Sequence, residues 1–319
     1  MNKLNITVVI PLYNKAQHIL KTLNSVYQQQ NPAYEVVVVN DGSTDNSLEV
    51  VKTFKTEKNL ENLIIIDQDN AGVSAARNEG ALLANSPFIA FLDADDLWLP
   101  LYLTKITSMI HQSPFADIFA CKYQCKLGEN NYKDAKIRLN HHQHIDGILV
   151  NYFECASQGD LPFIVSSSVI KRSSFKKFGM FPLNEPMGED QALFSHIAIH
   201  GLIAYSTDIH VIYNLAAENR ACINNIPKNE LPFSKRLTAT TELIPAVKYN
   251  SKYRKAILTF CAAHLCHLAK LNIKAMQFSR ARALLADKRC WLKPKHKICL
   301  YLWSMVAQCK NSIQLKFSR

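Results

Sequence analysis

The sequence lacks the cysteine patterns that mark disulfide frameworks and zinc sites. Its nine cysteines are an odd number and include no CxxC pair. The nearest couples, Cys121/Cys125 and Cys261/Cys266, have no histidines at the spacing of a zinc site. We therefore expect reduced, buried thiols, which are typical of a cytoplasmic protein.

We also expect no N-terminal signal peptide, and the sequence shows no internal repeat and no low-complexity linker. The first apolar stretch, in MNKLNITVVIPLYN, reaches Pro11 and is too short for a secretory signal. With 319 residues, 48% of them hydrophobic and 20% charged, the chain has the composition of an ordinary globular protein. Its length suggests one large domain with an extension, or two domains.

Acidic residues are nearly absent from the C-terminal part of the chain. Residues 270–319 hold twelve lysines and arginines but one acid, Asp287, and this excess equals the net charge of +11 of the whole chain. The apolar run ICLYLWSMVA (298–307) is too short to span a bilayer, which takes about 20 residues. Its cationic flanks and aromatic residues predict a helix lying on an anionic membrane surface. The alternative is a helical subdomain that packs its apolar face on its own core. Nucleic-acid binding is not expected, because no known module for it is present.

Strand and helix patterns alternate in the first half of the chain. Apolar runs such as ITVVIPL, YEVVVVND, NLIIID and FIAFLD are separated by amphipathic stretches of helical spacing. Continuous apolar strands joined by helices predict an α/β fold with a mostly parallel sheet covered by helices on both faces. In such sheets ligands collect at the carboxyl ends of the strands.

Polar residues follow each of the first four predicted strands. Four consecutive strand ends that carry polar groups define a crevice, whereas one such end would mean little. These residues are Pro11, Tyr13 and Asn14, then Asn40, Asp41, Gly42 and Ser43, then Asp67, Asp69, Asn70 and Gly72, and last Asp93, Asp95 and Asp96.

The acidic cluster after the fourth strand predicts a divalent metal site. Asp93 and Asp95 are two positions apart, so that a turn can direct both carboxylates at one cation. Mg²⁺ and Mn²⁺ prefer such oxygen ligands and bind one or two carboxylates together with substrate phosphates. The alternative for the same residues is an Asx-type turn before the next helix.

The second and third strand ends predict a nucleotide site. Asp41 can accept a hydrogen bond from a base, and Tyr13 can stack on that base. Gly72 opens a helix whose N-terminus favours phosphate, and Arg77 in that helix can add a charge-assisted contact. The alternatives are a D-G turn at Asp41 and a solvated helix arginine at Arg77.

Four segments resemble the family 2 inverting glycosyltransferases of the Rossmann-like GT-A fold. They are VVIPLYNKAQHI (8–19), VVVVNDGSTDNS (36–47), NAGVSAARNEGALLANSPFIAFLDADDLW (70–98) and MGEDQALF (187–194). The resemblance covers roughly residues 5–215 in the family's order. It implies a GT-A domain over residues 1–225. The residues that follow, 226–319, are expected to form a helical, basic region that either associates with membrane or packs on the core.

The resemblance also implies residue roles. Asp41 contacts the nucleotide base, Asp93 and Asp95 contact the ribose and the Mn²⁺ or Mg²⁺ that bridges the diphosphate, and Asp190 is the catalytic base. The remaining residues expected to bind the nucleotide-sugar are Pro11, Tyr13, Asn70, Gly72, Arg77 and Arg220. Asp190 starts a helix, which depresses a carboxylate's pKa, so we expect the surrounding pocket to compensate.

Together these features predict a hexosyl- or N-acetylhexosaminyl-transferase. The expected donor is a nucleotide-sugar, a UDP-sugar in particular. The expected acceptor is a glycan or lipid-linked hydroxyl in bacterial surface polysaccharide or lipopolysaccharide synthesis, at the inner face of the cytoplasmic membrane. The family's QxxRW motif, found in processive members, is absent, which predicts the addition of one sugar per encounter. The alternatives are a sugar nucleotidyltransferase and a non-catalytic scaffold with the same fold. The histidines of the HHQH loop (141–144) are interpreted as solvated.

Overall fold

The computed structural model describes residues 4–139, 147–185, 187–218, 226–243 and 251–317. The described chain divides into two compact units, Met1–Tyr152 with Leu161–Asn219, and Phe153–Asp160 with Arg220–Arg319. The first unit holds a mixed sheet with helices, and the second is helical.

From β1 to β4 the elements follow one another in the strand–helix order that the sequence pattern predicts. The strands are β1 Ile6–Leu12, β2 Glu35–Asp41, β3 Leu63–Gln68, β4 Phe88–Phe91, β5 Leu97–Trp98, β6 Ile118–Gly128, β7 Asn131–Asp134, β8 Gly147–Ile148, β9 Ser168–Lys171 and β10 Ile203–Asn214. The helices are α1 Ile19–Tyr27, α2 Ser47–Glu57, α3 Val73–Leu83, α4 Tyr102–Gln112, α5 Tyr152–Gln158, α6 Arg172–Lys177, α7 Glu189–His200, α8 Pro232–Leu243, α9 Ser251–Lys274, α10 Phe278–Ala286 and α11 Pro294–Phe317.

The main path of the sheet runs β3-β2-β1-β4-β9-β6-β10-β5, with β7 added to β6 and β8 added to β10. The first four strands of this path are parallel, as are β6 and β10. β9 lies between them and runs antiparallel to both β4 and β6. The predicted α/β fold is therefore confirmed, with parallel pairings among the four strands of the alternating first half of the chain and again between β6 and β10.

Pro11 lies inside β1, where it pairs with Val39 of β2, rather than after the strand. A central strand tolerates proline only where no ladder hydrogen bond needs its missing N–H. The β1–β4 ladder ends at Val9, whose carbonyl accepts a hydrogen bond from the backbone N–H of Leu92 (3.0 Å). Pro11 thus falls two residues beyond the last pairing of its strand with β4, where these two strands begin to separate.

Gly80 allows α3 to pack directly on the sheet. A Cβ atom at this position would lie 2.5 Å from Cγ1 of Val9, so that a larger residue would push the helix away from β1. This close packing sets the distance between α3 and the strands β1 and β2.

The second unit has its own apolar core, formed mainly by α9 and α10. Arg289 links the unit together, because its guanidinium donates to both carboxylate oxygens of Glu230 (2.8 Å each) and to Asp287 (2.7 and 2.9 Å). Of the described helices, α9 alone has the length and hydropathy of a membrane span. In its most apolar 18-residue stretch, 61% is buried inside the fold. In the second unit α9 serves as the central helix.

Among the described cysteines none forms a disulfide. The expectation that all of them are buried is wrong for Cys299 and Cys309, which are exposed on α11. Their exposure follows from the orientation of α11, whose inner face is lined by other residues.

Candidate functional site

The polar ends of β1 and β2 are joined by hydrogen bonds. The side-chain oxygen of Asn14 accepts from the backbone N–H of Thr44 (2.8 Å), and the N–H of Lys15 donates to Oγ of Ser47 (2.7 Å). Asn14 adopts a positive φ of 50°, which asparagine tolerates better than most residues. The loop after β1 is thereby held against the start of α2, as the predicted crevice requires.

The acidic cluster after β4 forms a turn, residues 93–96, which we call the DADD turn. Asp96, its last acid, is completely buried. One of its carboxylate oxygens accepts from Oγ of Ser166 (2.5 Å) and the other from the backbone N–H of Asn214 (2.8 Å). Burial, with the nearby charges of Asp95 and Asp93, raises the pKa of Asp96 well above its usual range. Asp96 therefore ties the turn to the end of β10 and to the short 3-10 helix Val165–Ser167 before β9, and both of its oxygens are engaged without a metal.

Arg77 connects the DADD turn to the start of α7. One terminal nitrogen donates to Oδ1 of Asp93 (2.7 Å) and the other to Oε1 of Glu189 (2.8 Å). Its side chain is only 4% exposed, and its guanidinium carbon lies 5.2 Å from the ring centre of Phe181. The contacts of Arg77 in this structure are thus two carboxylates and an aromatic ring, so the predicted phosphate contact stays a prediction.

Asp95 is paired with Lys15. Nζ of Lys15 lies 2.7 Å from Oδ2 of Asp95 and also donates to the backbone carbonyl of Glu218 (2.8 Å). Both partner side chains are 13% exposed, so the ion pair is shielded from most of the solvent. The Lys15 ammonium group therefore lies beside the carboxylate of Asp95, which the sequence analysis assigns to a metal ion.

The two outer carboxylates of the turn have the donor chemistry that Mg²⁺ or Mn²⁺ needs. The described ion pairs use only Oδ1 of Asp93 and Oδ2 of Asp95. Among the described residues no group of three or more His, Cys, Asp or Glu side chains is placed to enclose a metal. Mg²⁺ is commonly held by one or two carboxylates and completed by substrate phosphates and water, which fits a pair of this kind.

Asp41 organises the loop between β3 and α3. Its carboxylate accepts from the backbone N–H groups of Ala71 (2.8 Å) and Gly72 (2.9 Å) and from the amide of Gln68 (2.8 Å). Asn70 donates to the backbone carbonyl of Asp41 (2.9 Å). The predicted contact of Asp41 with a base stays a prediction; the described carboxylate is already engaged with this loop.

Glycine is required at two positions next to the start of α3. Gly72, which precedes the first residue of α3, has a φ of 90°, a backbone conformation in which an L side chain would be strained. Gly42 has a φ of 68°, and a Cβ atom there would lie 2.8 Å from the backbone nitrogen of Asn70. Gly42 thus lets the loops after β2 and β3 approach each other, and Gly72 allows the backbone to turn into the helix.

Asp190 is the second residue of α7, directly after Glu189. Burial is the main cause that raises the pKa of Asp190 to about 7, and the Glu189 carboxylate raises it further. A hydrogen bond from the backbone N–H of Gln191 (2.7 Å) and the charge of Arg77 oppose the shift. Burial and the neighbouring carboxylate thus raise the pKa of Asp190 more than the contacts at the helix start and Arg77 lower it. A carboxyl group with this pKa can exchange a proton near neutral pH.

The remaining predicted residues differ in position. Tyr13 is exposed at the end of β1, with its ring open to a ligand, whereas Pro11 is buried in the strand. Arg220 and the histidines of the 141–144 loop lie outside the described residues.

Sequence reasoning did not single out Lys15, Ser166 or Asn214. Lys15 lies one residue beyond the predicted polar end of β1, and a lone lysine in a loop gives no signal of its partner. Ser166 donates to Asp96 and also accepts from the backbone N–H of Asp93 (3.2 Å). Its only hint in the sequence is that it begins the run of three serines that ends at Ser168, the first residue of β9.

A family model described as Glycosyl transferase family 2 matches residues 7–178, which is more than half of the chain. The match includes β1 to β4, the DADD turn and β9. It ends before α7, so that Glu189 and Asp190 lie outside it.

Two curated relatives align with this chain over shorter stretches. The Uncharacterized glycosyltransferase YibD of Escherichia coli (strain K12) is 37% identical over 123 residues, which are 38% of this chain and 35% of the relative. The Putative teichuronic acid biosynthesis glycosyltransferase TuaG of Bacillus subtilis (strain 168) is 34% identical over 94 residues, 29% of this chain and 36% of the relative. The chain thus spans about a third of the length of these curated relatives.

A solved structure matches over nearly the whole chain. The crystal structure of S. aureus TarS 1-349 in complex with UDP-GlcNAc superposes with a TM-score of 0.65, covering 97% of this chain and 92% of that one, at 18% sequence identity. At this identity the likeness concerns the fold, which is that of the GT-A enzymes. With the family match over residues 7–178, the sheet order and the DADD turn at the end of β4, these findings establish that the chain belongs to glycosyl transferase family 2 and has the GT-A fold.

Proposed function

We propose that the chain is a metal-dependent, inverting glycosyltransferase that moves a sugar from a UDP-sugar to a hydroxyl of a glycan or lipid-linked acceptor. The observation that carries this proposal is the Asp93–Arg77–Glu189 chain of ion pairs. It joins the turn suited to a donor diphosphate to the helix start that carries Asp190, whose pKa is about 7.

In the proposed reaction the oxygen of the acceptor hydroxyl attacks the anomeric carbon of the donor sugar. Its proton passes to the Asp190 carboxylate, and the bond between the anomeric carbon and the diphosphate oxygen breaks. The electron pair of that bond leaves with UDP, so charge and atoms balance. Attack opposite to the leaving group inverts the anomeric configuration.

Asp93 and Asp95 would hold Mn²⁺ or Mg²⁺, which when bound neutralises charge on the departing diphosphate. The first turn of α3 presents backbone N–H groups near the same edge of the sheet, and Tyr13 offers an exposed ring for the base. Arg77 positions Asp93 and Glu189 and contributes positive charge to the pocket.

The name of TuaG refers to teichuronic acid biosynthesis, which supports a role in surface glycan synthesis. The UDP-GlcNAc bound to TarS supports a UDP-sugar donor. We propose residues 1–225 as the transferase domain and 226–319 as the basic helical region. A cytoplasmic location, peripheral at the inner face of the membrane, is in keeping with cysteines that form no disulfides in the described chain.

The test is release of UDP from a panel of UDP-sugars by the full chain, with Mn²⁺ and with a chelator. We expect slow, Mn²⁺-dependent hydrolysis of one donor that Asp190→Asn removes without weakening donor binding. Retained turnover by Asp190→Asn would place the base elsewhere. Release of pyrophosphate from UTP and a sugar phosphate would instead identify a nucleotidyltransferase.

A further inference from the structure

Helix α11 carries its apolar residues on the outside of the second unit. Ile298, Tyr301, Leu302, Met305 and Val306 are all exposed, and we name these five residues the outer apolar face. Their spacing of three and four positions places them on one side of the helix. A helix at the surface of a soluble unit normally directs such a stripe towards its core.

The opposite side of the same helix makes the contacts with the core. Ser304 is completely buried, and Leu300 and Ala307 pack against the apolar cluster of α9 and α10. The helix is therefore fixed to its unit through small and few side chains. Its larger apolar residues, with Trp303 and the preceding Trp291, remain exposed.

Lysines flank the outer apolar face at both ends. Lys295 lies one helical turn before Ile298 and Lys310 one turn after Val306, and both are exposed. Lys297 lies over the ring of Trp291, with Nζ 4.3 Å from the ring centre. No aspartate or glutamate occurs between residue 288 and the end of the chain.

We infer that the outer apolar face of α11 is a docking surface for an anionic lipid bilayer. Exposed aliphatic and aromatic side chains enter the interface between headgroups and acyl chains, while flanking lysines contact acidic headgroups. This surface would hold the chain flat on a membrane without a spanning segment.

Charge favours the bilayer over a second copy of the chain. Packing two outer apolar faces about a two-fold axis would bring Lys295 or Lys310 of one copy towards a lysine of the other, with no acid of α11 to compensate. An anionic surface instead complements every charged group on this helix. The inference does not depend on the proposed catalytic activity.

The experiment measures co-sedimentation of the full chain with vesicles of phosphatidylcholine alone and of phosphatidylcholine mixed equally with phosphatidylglycerol. We expect binding to the anionic vesicles that added salt weakens. Leu302→Glu should abolish it. Leu183→Glu is the matched control, since Leu183 in the first unit is 57% exposed and Leu302 is 56% exposed. A second variant, Lys295→Gln with Lys310→Gln, should weaken binding about five-fold per lysine.

Tryptophan fluorescence gives an independent readout of contact with lipid. Trp291 and Trp303 are exposed while Trp98 is buried, so brominated phosphatidylglycerol should quench the first two. Replacement of both by phenylalanine should remove the quenching. Equal vesicle binding by wild type and Leu302→Glu would overturn the inference. So would a wild-type dimer that binds no vesicles and that Leu302→Glu converts to a monomer.

Discussion

Nζ of Lys15 lies 2.7 Å from Oδ2 of Asp95, in an ion pair between two loops that follow different strands of the sheet. The lysine thus stands beside one of the two carboxylates that we assign to the metal. Binding of a divalent ion by Asp95 would have to compete with this pair, and the released ammonium would lie next to a donor diphosphate.

We predict that Lys15→Met increases the affinity for Mn²⁺ in the absence of donor. The competing ion pair is lost, and a pair of this kind is worth about 1 kcal/mol or about five-fold in affinity. Titration of free Mn²⁺ by electron paramagnetic resonance measures the change. Lys52→Met is the control, because Lys52 pairs with Glu49 (2.8 Å) at an exposed site. Unchanged or weaker Mn²⁺ binding by Lys15→Met would contradict the competition.

Two neighbouring aspartates of the DADD turn should respond differently to the same substitution. Asp96→Asn places an amide N–H₂ against one of two hydrogen-bond donors, the hydroxyl of Ser166 or the N–H of Asn214. We expect a loss of about 1–3 kcal/mol in the free energy of unfolding. Asp95→Asn should cost less, since its described side-chain contact is the ion pair with Lys15, to which the amide oxygen can still accept a hydrogen bond.

Chemical denaturation of the two variants, with Asp69→Asn as an exposed control, measures this contrast. If Asp95→Asn proved the more destabilising of the two, the division between a ligand and a structural acid would be wrong.

Arg77 should tune the proton affinity of Asp190. Its charge lowers the pKa of Asp190, against the larger effect of burial that raises it to about 7. A base is active when unprotonated, so the wild-type kcat/KM should fall as the pH drops through about 7. Arg77→Met should move this acid limb to higher pH, while Arg77→Lys should largely restore its position.

The pH–rate profile distinguishes this role from a purely structural one. A variant that only loosened the fold would lower the rate at every pH and leave the limb in place. Such a result would mean that Arg77 does not set the pKa of Asp190.

His264 makes the second unit sensitive to acid. Burial lowers the pKa of His264 to about 4, from an ordinary value of 6.5. The folded state therefore holds the neutral form, and its stability is fully present above pH 6.5 and decreases as the pH falls towards 4. His264→Phe should reduce this loss because it removes the titrating group, and the new ring would still meet Phe233, whose ring centre lies 4.7 Å from that of His264.

Thermal melts of wild type and His264→Phe at pH 7 and at pH 5 test this. The difference between the two melting temperatures of each protein should be smaller in the variant. An equal acid response in both would mean that other groups dominate.

The sequence predicts the first half of the fold well because each strand there is a continuous apolar run that ends in polar residues. VVVV before Asp41 and FIAF before the DADD turn are examples, and both form strands where expected. It predicts less about β6, in which buried apolar residues give way to Lys122, Gln124 and Lys126. The direction of β9 depends on its neighbours β4 and β6, so no local pattern could reveal it.

For the site, residue types predicted which groups gather but not which of them pair. Asp93 and Asp95 are equivalent in the sequence, yet one meets Arg77 and the other meets Lys15. Asp96 is a third acid of the same cluster in the sequence, and only the approach of β10 and Ser166 shows it to be buried and engaged. Such long-range contacts carry no sequence signal without the fold.

The central claim is that the turn after β4 holds a divalent ion and a donor diphosphate. Calorimetric titration of UDP into the full chain, with Mn²⁺ and with a chelator, tests it most directly. We predict Mn²⁺-dependent binding in wild type and in Asp190→Asn, and its loss in Asp95→Asn with the fold intact. Equal UDP binding by Asp95→Asn and wild type, or binding that ignores Mn²⁺, would contradict the claim.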